Sequence, residues 1–288
     1  MKKGILYVII TAVLFATFEP ASKVIAGDIV PYALTFWRFL IGSLMLMPFA
    51  IVKIKKEKIK LKGTDLLRMT LLGILFICIS MVLLQVGIKQ ATNPSLMAII
   101  FSSNSVFTIV FSVLLMKEKL SRNKIIALVA GVIGVLLCAD FTSGTNLVSV
   151  LLAFLSALTF SLYTVLNQKF KSKAGGIIQT AGAFFLGSIV LLIALLVGKV
   201  QIIPTLDATG MWIMVFVSFL VTGVGYMSYF RAIDLGGVIM ASLAFFIKPI
   251  LTPFCTWAIN GIAPDFKVFV AILFIIIASY FATYKKEK

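Results

Sequence analysis

The sequence contains no histidine. That removes the commonest metal ligand, the usual near-neutral proton switch and every His-based catalytic triad. Charge is scarce: only 12% of the 288 residues are Asp, Glu, Lys or Arg, about half the roughly 25% of ordinary soluble domains. Three cysteines, Cys78, Cys138 and Cys255, lie in apolar runs. Their spacing fits neither a metal site nor a disulfide framework, so they read as small packing residues. No phosphate-binding loop is present; "GVIG" at 131–134 follows no strand. These absences argue against an enzyme, a bound metal, a cofactor and a nucleotide-driven pump.

What is abundant is hydrocarbon. Hydrophobic residues make up 61% of the chain, and the mean hydropathy is +1.14. They come in blocks of about 20, the length that spans a bilayer as helix. Ten such spans are expected: roughly 4–26, 31–52, 66–88, 94–116, 123–140, 147–167, 176–198, 210–230, 238–258 and 265–284. The first has no small-residue cleavage site and is followed by another span, so it reads as a membrane helix rather than a leader. The expected fold class is all-α, multi-pass and integral to the membrane.

The net charge is +16. In a soluble chain this would suggest nucleic acid; here it reports direction. Twenty of the 26 basic residues fall on one side of the spans, including the tract "KIKKEKIKLKGTDLLR" at 53–68. Only Lys89, Lys199 and Lys267 fall on the other, and Lys23, Arg38 and Lys248 lie within spans. The positive-inside rule then puts both termini in the cytoplasm, with the chain in the cytoplasmic membrane. The basic tract could also bind anionic lipid headgroups, but it reads first as a topology signal.

Two stretches repeat. "RFLIG" at 38–42 matches "AFFLG" at 183–187, pairing Phe39 with Phe184 and Gly42 with Gly187. "NSVFTIVFSVLLMKEKLS" from Asn104 has the layout of "KPILTPFCTWAINGIAPD" from Lys248. The expected units are 1–140 and 146–288, five spans each. An odd number of spans inverts the second unit, a construction of secondary transporters with a cavity near the midplane.

"FWRFLIGSLML", "GIKQATNPSLMAIIFSSNSVFTIVFSVLLMKEKLS", "LSALTFSLYTVLNQK" and "KPILTPFCTWAING" resemble the EamA-type transporters of the drug/metabolite transporter superfamily. The resemblance covers essentially the whole chain. It implies ten helices, a central cavity and export of amino acids, other metabolites or drugs. The Glu-Pro pair frequent in the fourth helix of such a repeat is replaced by Asn104-Ser105 and Lys248-Pro249, so no role of that acid carries over.

Polar groups inside spans are functional candidates because burying them in hydrocarbon is costly. Glu19 and Lys23 are one helical turn apart and are expected to pair, with Pro20 loosening the helix so that their shared face lines a cavity. Arg38 lies about 10 Å into the second span, within snorkelling reach of the surface or lining the cavity. Asn104 and Lys248 lie near the midplane. Lys248 is the strongest substrate-binding candidate, and Gln85, Tyr163, Thr164, Asn167, Tyr226 and Tyr229 are softer cavity candidates alongside Ser103, Gln179 and Ser228.

Three cations against one carboxylate favour a substrate bearing a carboxylate. The expected activity is secondary transport, as export, of small polar metabolites such as amino acids or related carboxylates by alternating access. The alternative is a proton-coupled exporter of cationic drugs using Glu19; a neighbouring lysine disfavours it by stabilising the ionised carboxylate. Small-molecule substrate and lipid are the expected partners, with no nucleic acid, and a monomer suffices to enclose a cavity.

Overall fold

The computed structural model describes residues 2–117, 122–138, 146–170 and 176–283. Among them the regular structure is helical throughout. The unit boundaries near residues 140 and 146, and Lys119, Lys171, Lys173, Lys285, Lys286 and Lys288 of the basic count, lie at or beyond the edges of these residues.

Helix α1 (Lys2–Ala16) gives way at Thr17 to α2 (Phe18–Val24). Pro20 has no N–H to offer the carbonyl of Ala16, which is where the break falls. Helix α3 (Pro31–Lys56) starts on a proline whose missing donor is harmless at that position. Helix α4 (Gly63–Gly73) runs into a π-helical segment, Ile74–Met81, and then α5 (Val82–Gln90). Asn93 caps α6 (Pro94–Ser102) by accepting from the Ser95 amide at 2.9 Å. Next comes α7 (Asn104–Met116). The break at Ser103 has a local cause. Ser103 Oγ donates to the Ile100 carbonyl at 2.6 Å and Asn104 Nδ2 to the Phe101 carbonyl at 2.8 Å, competing with the helical ladder.

Helix α8 is Arg122–Cys138, and α9 (Leu147–Lys169) is capped by Asn146. Helix α10 is Gly176–Val197. Asp207 caps α11 (Ala208–Val215), which leads into a second π-helical segment, Phe216–Val224. There Thr222 Oγ1 donates to the Val217 carbonyl, five residues back. Helical turns then continue through α12 (Gly225–Asn260), and α13 is Phe266–Thr283.

Seven stretches among the described residues are long and apolar enough to cross a membrane: Gly4–Val24, Pro31–Lys56, Gly63–Gln90, Pro94–Met116, Leu147–Lys169, Gly176–Val197 and Ala208–Ala232. Ten were expected. The apolar α8 has 17 residues and α13 has 18. The expected span 238–258 falls within α12, which cannot be straight. The rings of Tyr229 and Phe245 have centroids 5.6 Å apart, whereas 16 residues of straight helix separate two positions by about 24 Å. The chain therefore doubles back between them, and Phe15 packs against both limbs through Tyr226 and Phe245.

Helices α3 and α10 pack against each other. They run in opposite directions, because Trp37 Nε1, near the start of α3, donates at 3.0 Å to the carbonyl of Ile202, just past the end of α10. Phe39 and Phe184, matched in the sequence repeat, meet edge to face at 4.9 Å. The two π segments occupy corresponding places in the two halves. The first is locked to α9 by a reciprocal pair of bonds: Ser80 Oγ to the Ser156 carbonyl at 2.9 Å and Ser156 Oγ to the Ser80 carbonyl at 2.7 Å.

The core is built from interlocked rings, with Phe76 stacked on Tyr163 at 4.6 Å and on Phe184 at 5.3 Å. Backbone touches backbone where Gly73 meets Gly187: a Cβ on Gly187 would lie 2.8 Å from the Gly73 Cα. Small residues of this kind let membrane helices approach closely. Gly187→Ala should therefore destabilise the fold by about 1–3 kcal/mol, the usual range for overpacking. Thermal unfolding in detergent checks this, and an unchanged midpoint would mean that the two helices separate freely.

Candidate functional site

The break at Thr17 lets α2 present Glu19 to the second limb of α12. Lys248 Nζ donates to Glu19 Oε1 at 2.5 Å. Glu19 is 0% exposed and Lys248 6%. This corrects the expected pairing of Glu19 with Lys23. Lys23 instead donates to the Lys89 carbonyl at 2.9 Å, near the end of α5, at an exposed position. Sharing a helical face permits a pair but does not impose one, and the ammonium buried in α12 has the greater need of a counter-charge.

Arg38 does not snorkel. It is 5% exposed. Its Nε donates to Thr222 Oγ1 at 2.7 Å, and the guanidinium lies 3.6 Å above the Phe18 ring centroid and 4.7 Å from that of Phe39. Rings in this arrangement hold a guanidinium through their quadrupoles. The Thr222 hydroxyl thus serves two ends: it closes the π-helical turn and it orients Arg38.

Arg38, Lys248 and Tyr226 line one cavity together with a ring-rich wall that includes Phe15, Phe18 and Phe101. Lys248 Nζ also sits 5.4 Å from the Phe101 centroid. The cavity volume is about 30 Å³, room for about two waters. A metabolite enters only if the surrounding helices separate. The elements that would bend are at hand: the breaks at Thr17 and Ser103, the two π segments and Pro249.

The other sequence candidates are not part of this lining. Asn104 turns its amide back on its own helix, and Ser161 donates to its carbonyl at 2.6 Å. Tyr163 is stacked in the core. Thr164 Oγ1 donates to the Phe160 carbonyl. Asn167 accepts from Gln179 Nε2 at 2.7 Å, tying α9 to α10. Tyr229 packs against Phe245. Gln85, beside the cavity-lining Leu84, is buried with its Oε1 unpartnered among the described residues.

Sequence reasoning missed Thr222, the ring wall and a seam between α2 and α12. Glu19 Oε2, Ser22 Oγ, Thr256 Oγ1 and the Asn260 Oδ1 are buried without partners among the described residues, while Asn260 Nδ2 reaches the Pro20 carbonyl at 3.3 Å. The signal was readable: Lys248, Thr252, Thr256 and Asn260 recur every four residues, one polar stripe of a helix. Those oxygens are hydrogen-bonding capacity that the protein itself leaves unused. The described residues contain no group of acids and cysteines able to hold a metal ion.

Comparison with known proteins shows the family of the chain. Residues 2–139 and 147–284 each match the EamA-like transporter family. An uncharacterized transporter of Clostridium kluyveri is 33% identical over 97% of this chain and 92% of its own length. The uncharacterized transporter YyaM of Bacillus subtilis is 25% identical over 91% of this chain and 87% of its own. A protein of known crystal structure superposes with a TM-score of 0.68 over 98% of this chain and 97% of its own at 16% identity, which speaks for the fold. Matched in both halves and along nearly its whole length, the chain belongs to the EamA-like transporter family of the drug/metabolite transporter superfamily, a family of multi-pass membrane transporters.

Proposed function

We propose that the protein is a secondary exporter of small carboxylate-bearing metabolites, amino acids or related organic acids, working by alternating access in the cytoplasmic membrane. The observation that carries this is Arg38. Its guanidinium is buried against a cavity, with a hydroxyl and two rings as its contacts; among the described residues no carboxylate lies within ion-pair distance of it, and Glu19, paired to Lys248, acts on it only from farther away. A planar guanidinium binds a carboxylate in two-pronged fashion. The rings around it suit an apolar substrate body. Lys248, the expected substrate ligand, is already engaged by Glu19; Arg38 takes over that role.

In this reading the ten spans form two inverted five-helix units with both termini in the cytoplasm. The opposed run of α3 and α10 and the Phe39–Phe184 contact support it, as a residue meets its own counterpart on a two-fold axis. The drug-export alternative needs Glu19 free to bind a proton or a cation in turn. An ammonium at 2.5 Å disfavours that.

The test is counterflow in proteoliposomes with radiolabelled amino acids, organic anions and quaternary amines. Exchange of carboxylate-bearing compounds and no exchange of the amines is expected. Exchange of the amines alone would overturn the proposal.

A further inference from the structure

The charges around the cavity bear on what energises transport, granted the carboxylate reading above. Three ionic groups meet there among the described residues: Arg38, Lys248 and Glu19. The Lys248–Glu19 pair is neutral as a unit, and separating it inside the membrane is expensive. Arg38 keeps its charge at neutral pH, as arginines do. Lys23 is outside the cavity, bonded to the carbonyl of Lys89 at an exposed position. The empty cavity thus holds one fixed positive charge. A bound monocarboxylate brings the total to zero. A bound zwitterion leaves it unchanged.

We propose that the protein carries monocarboxylates with no co-transported cation, and that the membrane potential drives them. A neutral cavity would need a proton or a sodium ion to accompany an anion into hydrocarbon. Here the Arg38 guanidinium supplies that charge permanently and stays behind when the anion leaves. Each turnover with a monocarboxylate moves one negative charge across the membrane. A potential that is negative inside pushes that charge outward, so export follows from the charge count alone. A zwitterionic amino acid on the same path moves no net charge, and the potential does not bias it.

The experiment uses purified full-length protein in liposomes with equal phenyllactate on both sides. A potassium diffusion potential is imposed with valinomycin, and the steady-state distribution is read. The distribution is independent of the orientation of the protein in the bilayer. At about 100 mV, phenyllactate should accumulate about 50-fold on the positive side, while phenylalanine should not be displaced by the potential. Phenyllactate accumulation that follows an imposed pH or sodium gradient and ignores the potential would overturn the inference and leave the transport reading intact. Failure of phenyllactate alone to redistribute under any gradient would overturn the inference, and failure of both phenyllactate and phenylalanine to move down an imposed concentration gradient would overturn the transport reading as well.

Discussion

Lys248→Met should destabilise the protein by about 3–5 kcal/mol, the range found when one partner of a buried ion pair is removed. The residue left behind explains the size. Glu19 is 0% exposed, its Oε1 is held by Lys248, and its Oε2 has no partner among the described residues. Taking away the ammonium leaves a fully buried carboxylate without its ion-pair partner. Glu19→Gln strands the ammonium instead, and the Phe101 ring, 5.4 Å from it, is a weak substitute for a counter-ion. The double change of Glu19→Gln with Lys248→Met removes both charges and should recover most of the loss. Thermal unfolding in detergent of the two single variants and the double variant closes a cycle. Additive losses would mean that the two side chains do not act as a pair. The same cycle with Lys23→Gln in place of Lys248→Met should be additive, because Lys23 is bonded elsewhere.

Arg38→Gln should lower carboxylate transport at least about 30-fold, because a buried hydrogen-bonded charge contact with a ligand is typically worth about 2–5 kcal/mol when one partner is truncated. Glutamine keeps a donor for Thr222 and some contact with the Phe18 ring, so the protein should still fold and insert. Arg38→Lys keeps the charge and loses the planar fork that fits a carboxylate, so it should retain more transport than glutamine and less than arginine. Initial rates of labelled phenyllactate uptake into proteoliposomes, normalised to inserted protein, measure both. Equal activity of Arg38→Gln and the unaltered protein would place the substrate away from the guanidinium.

The helices and the buried charges were legible in the sequence because a membrane makes both conspicuous. Runs of about 20 apolar residues have few other uses, and a Glu, an Arg or a Lys inside one stands out against them. Phe39 and Phe184 were matched in the sequence only as equivalent positions of a repeat; that they touch is a finding of the structure. What the sequence concealed is partnership across distance. Glu19 and Lys248 are 229 positions apart, and nothing local prefers Lys248 to the lysine one turn away. The kink at Thr17 and the return of the chain within α12 decide it. The π segments were equally hidden, because a one-residue widening of a helix leaves hydrophobic periodicity almost unchanged. The softer candidates misled for a different reason. Tyr163, Thr164 and Asn167 are polar, but each is satisfied or stacked within helix packing, as polar groups in membrane bundles commonly are.

Reception of an anion by the Arg38 cavity is what the proposed transport rests on. It is tested most directly by counterflow of a matched pair in the same proteoliposomes: phenyllactate, which carries a carboxylate, and benzyltrimethylammonium, which offers a ring of the same kind with a fixed positive charge. Exchange of phenyllactate, with the ammonium compound at the level of empty liposomes, is the predicted result. Exchange of benzyltrimethylammonium, with phenyllactate at the level of empty liposomes, would contradict it.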